Sequence, residues 1–223
     1  MANRKHSADI LIDQNIWPNQ HHRYEHLLTK DCQQLLGPEF ALLRDSFRTL
    51  RQENADKTDS IIVFFGGTDP TNECQKVIKA LTKFQTLPFD VIIITGQNKI
   101  INKEILPPLP QTVKIRENLP EFEKYLAKAR YAIGASGISN WERFCLDVNT
   151  SLVSVAENQE VLAEYLGDLQ AVKYLGKSEQ LSADDYYQEF ERIIRLWPNI
   201  ENKSPIAVDG LGTERVVKEV MKL

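Results

Sequence analysis

Three short polar stretches carry the residue types that can hold a small anion: Phe65-Gly66-Gly67-Thr68-Asp69-Pro70-Thr71-Asn72, Gly134-Ala135-Ser136-Gly137-Ile138-Ser139, and Ala156-Glu157-Asn158-Gln159. Each follows an apolar run and precedes an amphipathic segment. Paired glycines at Gly66 and Gly67 let backbone approach a ligand closely, and Thr68 and Asn72 can donate beside a helix start. The first stretch is neither a Walker A loop nor a GxGxxG fingerprint. In the second, Ser136 and Ser139 can cap the helix that follows, while the free N–H groups of its first turn form an anion site. Glu142 falls in or near that first turn. It serves either the helix dipole or the paired hydroxyls of a ribose, which match two carboxylate oxygens. Asn158 and Gln159 offer an amide pair; Gln159 taken alone reads as part of a capped helix start.

The elements that must position these stretches alternate along the chain. Strands are expected at Ile61–Phe65, Val91–Thr95, Thr112–Arg116, Tyr131–Ala135 and Ser151–Val155, with a weaker one at Val172–Leu175. Helices are expected at Glu73–Phe84, Glu121–Ala129, Ser139–Leu146, Glu160–Leu166, Asp184–Leu196 and Thr213–Leu223. Short apolar runs alternating with amphipathic segments form βαβ units around a mainly parallel sheet, an α/β fold. Ligands of such sheets sit at the carboxyl ends of the strands. Before residue 56 the pattern is thinner: a strand at Asp9–Gln14, helix-forming composition over Phe40–Phe47, and a polar loop from Gln52 to Ser60. The link from Gly96 to Gln111 holds Pro107, Pro108 and Pro110 and is too broken for a full helix. His22 and His26 have HxxxH spacing, yet with His21 they lie in a polar connection where no other ligand set completes a metal site; they read as solvated.

The chain has 223 residues, 42% of them hydrophobic, enough for a real core. A formal charge of −4 gives no global attraction to nucleic acid or anionic membrane, so a polyanionic ligand must be held locally and the partner is expected to be small. Cys32, Cys74 and Cys145 lie far apart with no CxxC pair, which points away from a zinc site or a disulfide framework and toward a reducing cytoplasm. No apolar run has the length of a membrane span, and the first nine residues hold no signal-peptide core.

Taken in order, FGGTDPTN, IGASGISNWERFC and SVAENQ resemble the C-terminal half of the UDP-sugar hydrolases of pseudaminic acid biosynthesis, with the SpsG-type spore-coat polysaccharide proteins and the MurG-like glycosyltransferases of GT-B architecture as relatives. The resemblance extends through ANRKHSADILIDQN, LLGPEFALLRDSF and DGLGTERV. It implies a Rossmann-like domain, residues 56–223, that holds the nucleotide of a UDP-linked diacetamido sugar, with residues 1–55 as a remnant strand and linker of a further N-terminal domain preceding Ala2. It implies Glu142 on the ribose, Gly134 to Ser139 on the diphosphate, Asn158 near the sugar or phosphate, and Gly66 and Gly67 along an interdomain cleft. Arg44 matches a family arginine at the nucleotide, where a planar, always-charged fork suits a diphosphate. Two departures stand out: Ile138 replaces a hydroxyl residue, and Asp147-Val148-Asn149 replaces a Gly-Leu-Pro-like turn. No cofactor or metal is implied. None of the four histidines matches the water-activating one of the family, so this chain is expected to bind UDP or a UDP-sugar without catalysing. A glycosyltransferase donor domain and a binding module without chemistry remain the alternatives.

Overall fold

The computed structural model describes residues 4–20, 22–96 and 108–223. Residues 1–3, His21 and most of the proline-broken link, 97–107, lie outside the described residues. Near the start, β1 (Ile10–Asp13) pairs in parallel with β2 (Gln33–Leu36) as a two-stranded sheet of its own. β1 is the expected strand, whereas β2, four residues reading QQLL, is too short to mark itself by alternation. His22 and His26 stand exposed on a run of turns between the two.

The helix expected over Phe40–Phe47 is corrected. Ala41 and Leu43 are buried while Leu42 is exposed, the period of extended chain, and α1 (Asp45–Glu53) begins only after Arg44, whose own backbone is extended. Asn54, at a left-handed φ of 45°, ends it.

From there the expected alternation is observed. β3 (Thr58–Phe64), α2 (Glu73–Leu81), β4 (Asp90–Ile94), β5 (Val113–Arg116), α3 (Phe122–Lys128), β6 (Ala129–Ala135), α4 (Ser139–Cys145), β7 (Asn149–Ser154), α5 (Glu157–Asp168), β8 (Lys173–Lys177), α6 (Ala183–Leu196) and α7 (Gly212–Val220) follow in turn. β3 starts three residues before the expected strand and shortens the polar loop ahead of it. All six strands β3 to β8 pair in parallel, in the spatial order β5-β4-β3-β6-β7-β8.

Because strand side chains alternate, each central strand feeds two cores. On one face Ile62, Ala132 and Leu152 pack with Phe47, Trp141, Phe144 and Leu162, which belong to α1, α4 and α5. On the other, Ile61, Val63, Ile93 and Ile133 pack with Val77, Ile78, Tyr186 and Phe190 from α2 and α6. Each of the Val, Leu, Ile and Phe side chains among them, buried, contributes roughly 1.5–3 kcal/mol of transfer free energy.

The strand order determines where a ligand can sit. From β3 the chain builds outward through β4 and β5, then returns to lay β6 on the opposite side of β3 and proceeds to β7 and β8. Loops leaving β3 and β6 therefore run apart, and a crevice opens at the carboxyl ends of these two neighbours.

Candidate functional site

The crevice is a real cleft of about 580 Å³. Phe64, Gly67 and Thr68 reach it from the end of β3, Ile94 and Gly96 from β4, Leu119 and Phe122 from the connection into α3, and Ile138, Ser139 and Glu142 from the start of α4. Arg44, just before α1, closes one side. One wall is apolar, with the rings of Phe64 and Phe122 5.3 Å apart between centroids.

Glycine is required where the β3 and β4 loops meet. Gly66 has φ 97° and Gly96 φ 76°, and a Cβ on Gly96 would lie 2.1 Å from the Gly67 carbonyl oxygen. At Gly67 the situation is reversed: a Cβ there would meet nothing within 4 Å, so its bare backbone faces the cleft.

The turn after β6 splits into two layers. Gly134, Ala135 and Ser136 form the lower one, still part of or hydrogen-bonded to the sheet: the Ser136 N–H donates to the Val153 carbonyl at 3.0 Å, and its buried hydroxyl accepts from the Asn140 amide at 3.2 Å. Gly137, Ile138 and Ser139 form the upper layer, whose N–H groups donate to no protein acceptor among the described residues. The expected serine caps are corrected. Ile138 occupies the position before α4 and no side chain caps it, because Ser136 is turned inward to Asn140 and Ser139 is already helical. The Ile138 side chain is about half exposed at 49%.

Glu142 borders this cleft in a poorly solvated position. Burial raises its carboxyl above the usual range, opposed by the Arg143 and Arg44 cations and by a Ser139 hydrogen bond. Arg44 itself is mostly exposed and pairs with Glu123 at 3.0 Å. A half-desolvated carboxylate opposite an arginine, beside free backbone N–H groups and an apolar wall, can accept a diol, neutralise an anion and cover a flat ring.

The third stretch stands apart. Gln159 accepts the Val155 N–H at 3.0 Å through Oε1, the structural role its position allowed, and Asn158 is exposed at the first turn of α5. Both lie on the flank of the β6 turn, beside a separate hollow of about 390 Å³ lined by Thr71, Ala156, Glu157 and Lys177 among others. The structure thus brings Arg44, Gly67, Ile138, Ser139 and Glu142 into one cleft, sets Gly66 and Gly134 to Ser136 beneath its rim, and leaves Asn158 and Gln159 outside it. Sequence reasoning passed over Phe64, Leu119, Phe122 and Arg143. The first three read as ordinary apolar positions of a strand and a helix start, and nothing local distinguishes them. Among the described residues no group of His, Cys, Asp and Glu gathers as a metal-holding set, and no helix is long and apolar enough to cross a membrane.

No family model matches the chain. Individual proteins do. It is 27% identical over 190 residues to the spore coat polysaccharide biosynthesis protein SpsG of Bacillus subtilis, and 26% identical over 170 residues to the UDP-2,4-diacetamido-2,4,6-trideoxy-beta-L-altropyranose hydrolase of Campylobacter jejuni. The chain is a relative of SpsG and of this hydrolase. The matches cover 81% and 73% of this chain, and 56% and 58% of the relatives, so it spans little more than half the length of the curated proteins it matches. Among solved structures, MurG of Acinetobacter baumannii superposes with a TM-score of 0.69 over 96% of this chain and 66% of its own, at 17% identity. A kitacinnamycin glycosyltransferase gives 0.59 over 88% and 50%, at 15% identity. Likeness at that identity speaks for the fold, which is that of the GT-B glycosyltransferases.

Proposed function

We propose that the β3/β6 cleft binds the nucleotide of a UDP-sugar, and that the whole protein's reaction is hydrolysis of the sugar–diphosphate bond. The observation that carries the reading is Glu142: a partly desolvated carboxylate held at the topological switch point, next to free backbone N–H groups and opposite Arg44. In this arrangement Glu142 accepts both ribose hydroxyls, the N–H groups of Gly137 to Ser139 and the Arg44 fork meet the diphosphate, and the Phe64, Leu119 and Phe122 wall covers the uracil. Asn158, on the flank, faces the sugar end.

In the hydrolysis itself water adds to the anomeric carbon, the bond from that carbon to the diphosphate oxygen breaks, and UDP and free sugar leave. The residues of the cleft stabilise the departing diphosphate, as preorganised donors do for charge that develops during reaction. We assign activation of the water to a group outside this cleft, so the chain alone binds without turnover. The sugar proposed is the diacetamido-trideoxy type named for the Campylobacter relative. The reading places the protein in the cytoplasm, where three free thiols at Cys32, Cys74 and Cys145 persist.

Calorimetric titration of the chain with UDP tests the site. Glu142→Ala is expected to weaken binding by about 1–3 kcal/mol through loss of charged hydrogen bonds. Absence of UDP binding by the unsubstituted chain would sink the proposal, and release of UDP from the diacetamido UDP-sugar by this chain alone would overturn the assignment of the base.

A further inference from the structure

We propose that Arg143, buried beneath the cleft, is the positioning cation that makes the site select a diphosphate, an inference that rests on the nucleotide reading above. Arg143 lies on α4 and is only 4% exposed. Its side chain runs back along the helix toward the sheet, as helical side chains do. Nη2 donates to the Ala135 carbonyl at 2.7 Å and to the Asn140 side-chain oxygen at 2.8 Å. Nε is buried without a hydrogen-bond partner.

Among the described residues no carboxylate comes within 4.0 Å of this guanidinium. Other buried charges in the molecule are better served: Glu73 is met by Lys76 at 2.7 Å, Glu189 by Arg192 at 2.6 Å, and Asp13 by Trp17 and Tyr24 at 2.6 Å each. Two neutral oxygens satisfy donors, and Glu142, beyond ion-pair distance and itself poorly solvated, offsets the charge only in part, which is costly unless a further opposite charge comes near.

Its location says which charge that is. A Cβ built on Gly134 would lie 2.3 Å from the Phe64 carbonyl oxygen and 2.5 Å from Arg143 Nη1. The guanidinium is therefore wedged between the ends of β3 and β6, at the switch point, and Gly134 is the residue that leaves room for it. Phe64, whose carbonyl borders the same space at Gly134, and Ser139 and Glu142 of the same helix line the cleft. An anion seated there shares the low-dielectric floor with Arg143, where charges attract more strongly and salt screens less than at the surface. Burial lowers the Arg143 pKa to about 10, with Glu142 opposing, so the group is still a cation at neutral pH. A nucleoside without phosphate gains nothing from it; a nucleoside diphosphate does.

The test is calorimetry on the full chain with UDP and with uridine, for the unsubstituted protein, Arg143→Met and Arg143→Lys, each variant's fold checked by circular dichroism. Arg143→Met is expected to weaken UDP about tenfold or more while uridine changes less than about twofold, and Arg143→Lys to recover part of the loss. Equal losses for UDP and uridine, or an unchanged UDP affinity, would overturn the proposal while leaving the nucleotide site standing. No binding of UDP to the unsubstituted chain would remove both. Should the Met variant not fold, the unsubstituted chain still decides: the ratio of UDP to uridine affinity is expected to hold between about 50 mM and about 500 mM salt if a buried charge sets it, and to collapse if the exposed Arg44 does.

Discussion

Two βα turns in this molecule are built from the same parts and used differently. After β3, a glycine pair leads to α2 with Glu73 at its start; at the end of β6, Gly134 inside the strand and Gly137 just after it lead to α4 with Glu142 in its first turn. Glu73 is fully buried and saturated: Lys76 donates at 2.7 Å, Ser178 at 2.9 Å, and the Tyr186 hydroxyl also donates to it, while Asp69 takes the Glu73 and Cys74 N–H groups at 2.8 and 3.0 Å. The Tyr186 hydroxyl is in consequence pushed well above the usual phenol range, by burial first and by Glu73 next. Glu142 has acceptor capacity to spare and a cleft in front of it. A glutamate at a helix start is structural when protein donors use up its oxygens, and free for a ligand when they do not.

The largest test of this contrast is stability. Glu73→Ala leaves Lys76, Ser178 and Tyr186 without their common partner and is expected to cost about 3–5 kcal/mol, read as a lower urea midpoint at unchanged slope. Glu142→Ala is expected to stay within about 0.5 kcal/mol of the unsubstituted protein. Similar losses in both would erase the distinction.

The glycines sharpen it next. Gly134→Ala drives a methyl into the Phe64 carbonyl and the Arg143 guanidinium, and a loss of about 1–3 kcal/mol is expected in the same urea experiment. Gly67→Leu fills open space, so its thermal midpoint is expected to hold while UDP binding disappears.

A smaller effect is expected from pH. The folded Glu142 carboxyl is raised above its ordinary value of 4.5, so the folded state holds its proton to higher pH than the unfolded state. Its contribution to stability is therefore fully present below the ordinary value and is lost as pH rises through the raised one. Glu142→Gln should flatten that slope in thermal melts taken across the window. UDP affinity should run the other way, rising with pH as the carboxylate needed for the ribose forms, and the same substitution should abolish that rise. Smallest of all, Gln159→Ala removes the acceptor of the Val155 N–H and should cost about 1 kcal/mol with little change in UDP affinity.

From Ile61 onward the alternation of apolar runs and amphipathic segments was enough to place the strands and helices, because each is encoded by periodicity within its own few residues. The 40–47 segment shows where that stops: Ala41 and Leu43 are buried as extended chain against Phe47 and Trp17, a pattern too short to outweigh helix-forming composition. The site divides along the same line. Gly66, Gly67, Ser139 and Glu142 were visible as polar residues at strand ends, a local signal.

What the sequence by itself determined, then, is a parallel α/β chain whose polar turns follow its strands, since hydrophobic period and turn chemistry are local properties. Only the tertiary structure decided the strand order that sets β6 beside β3. That order made Ile138 and Ser139, at the end of the β6 turn, part of one wall of a cleft, turned Gln159 into a structural link, and buried Arg143 beside the ends of β3 and β6. Burial and the distance between charges depend on which strands become neighbours, and no residue carries that information in its own immediate sequence.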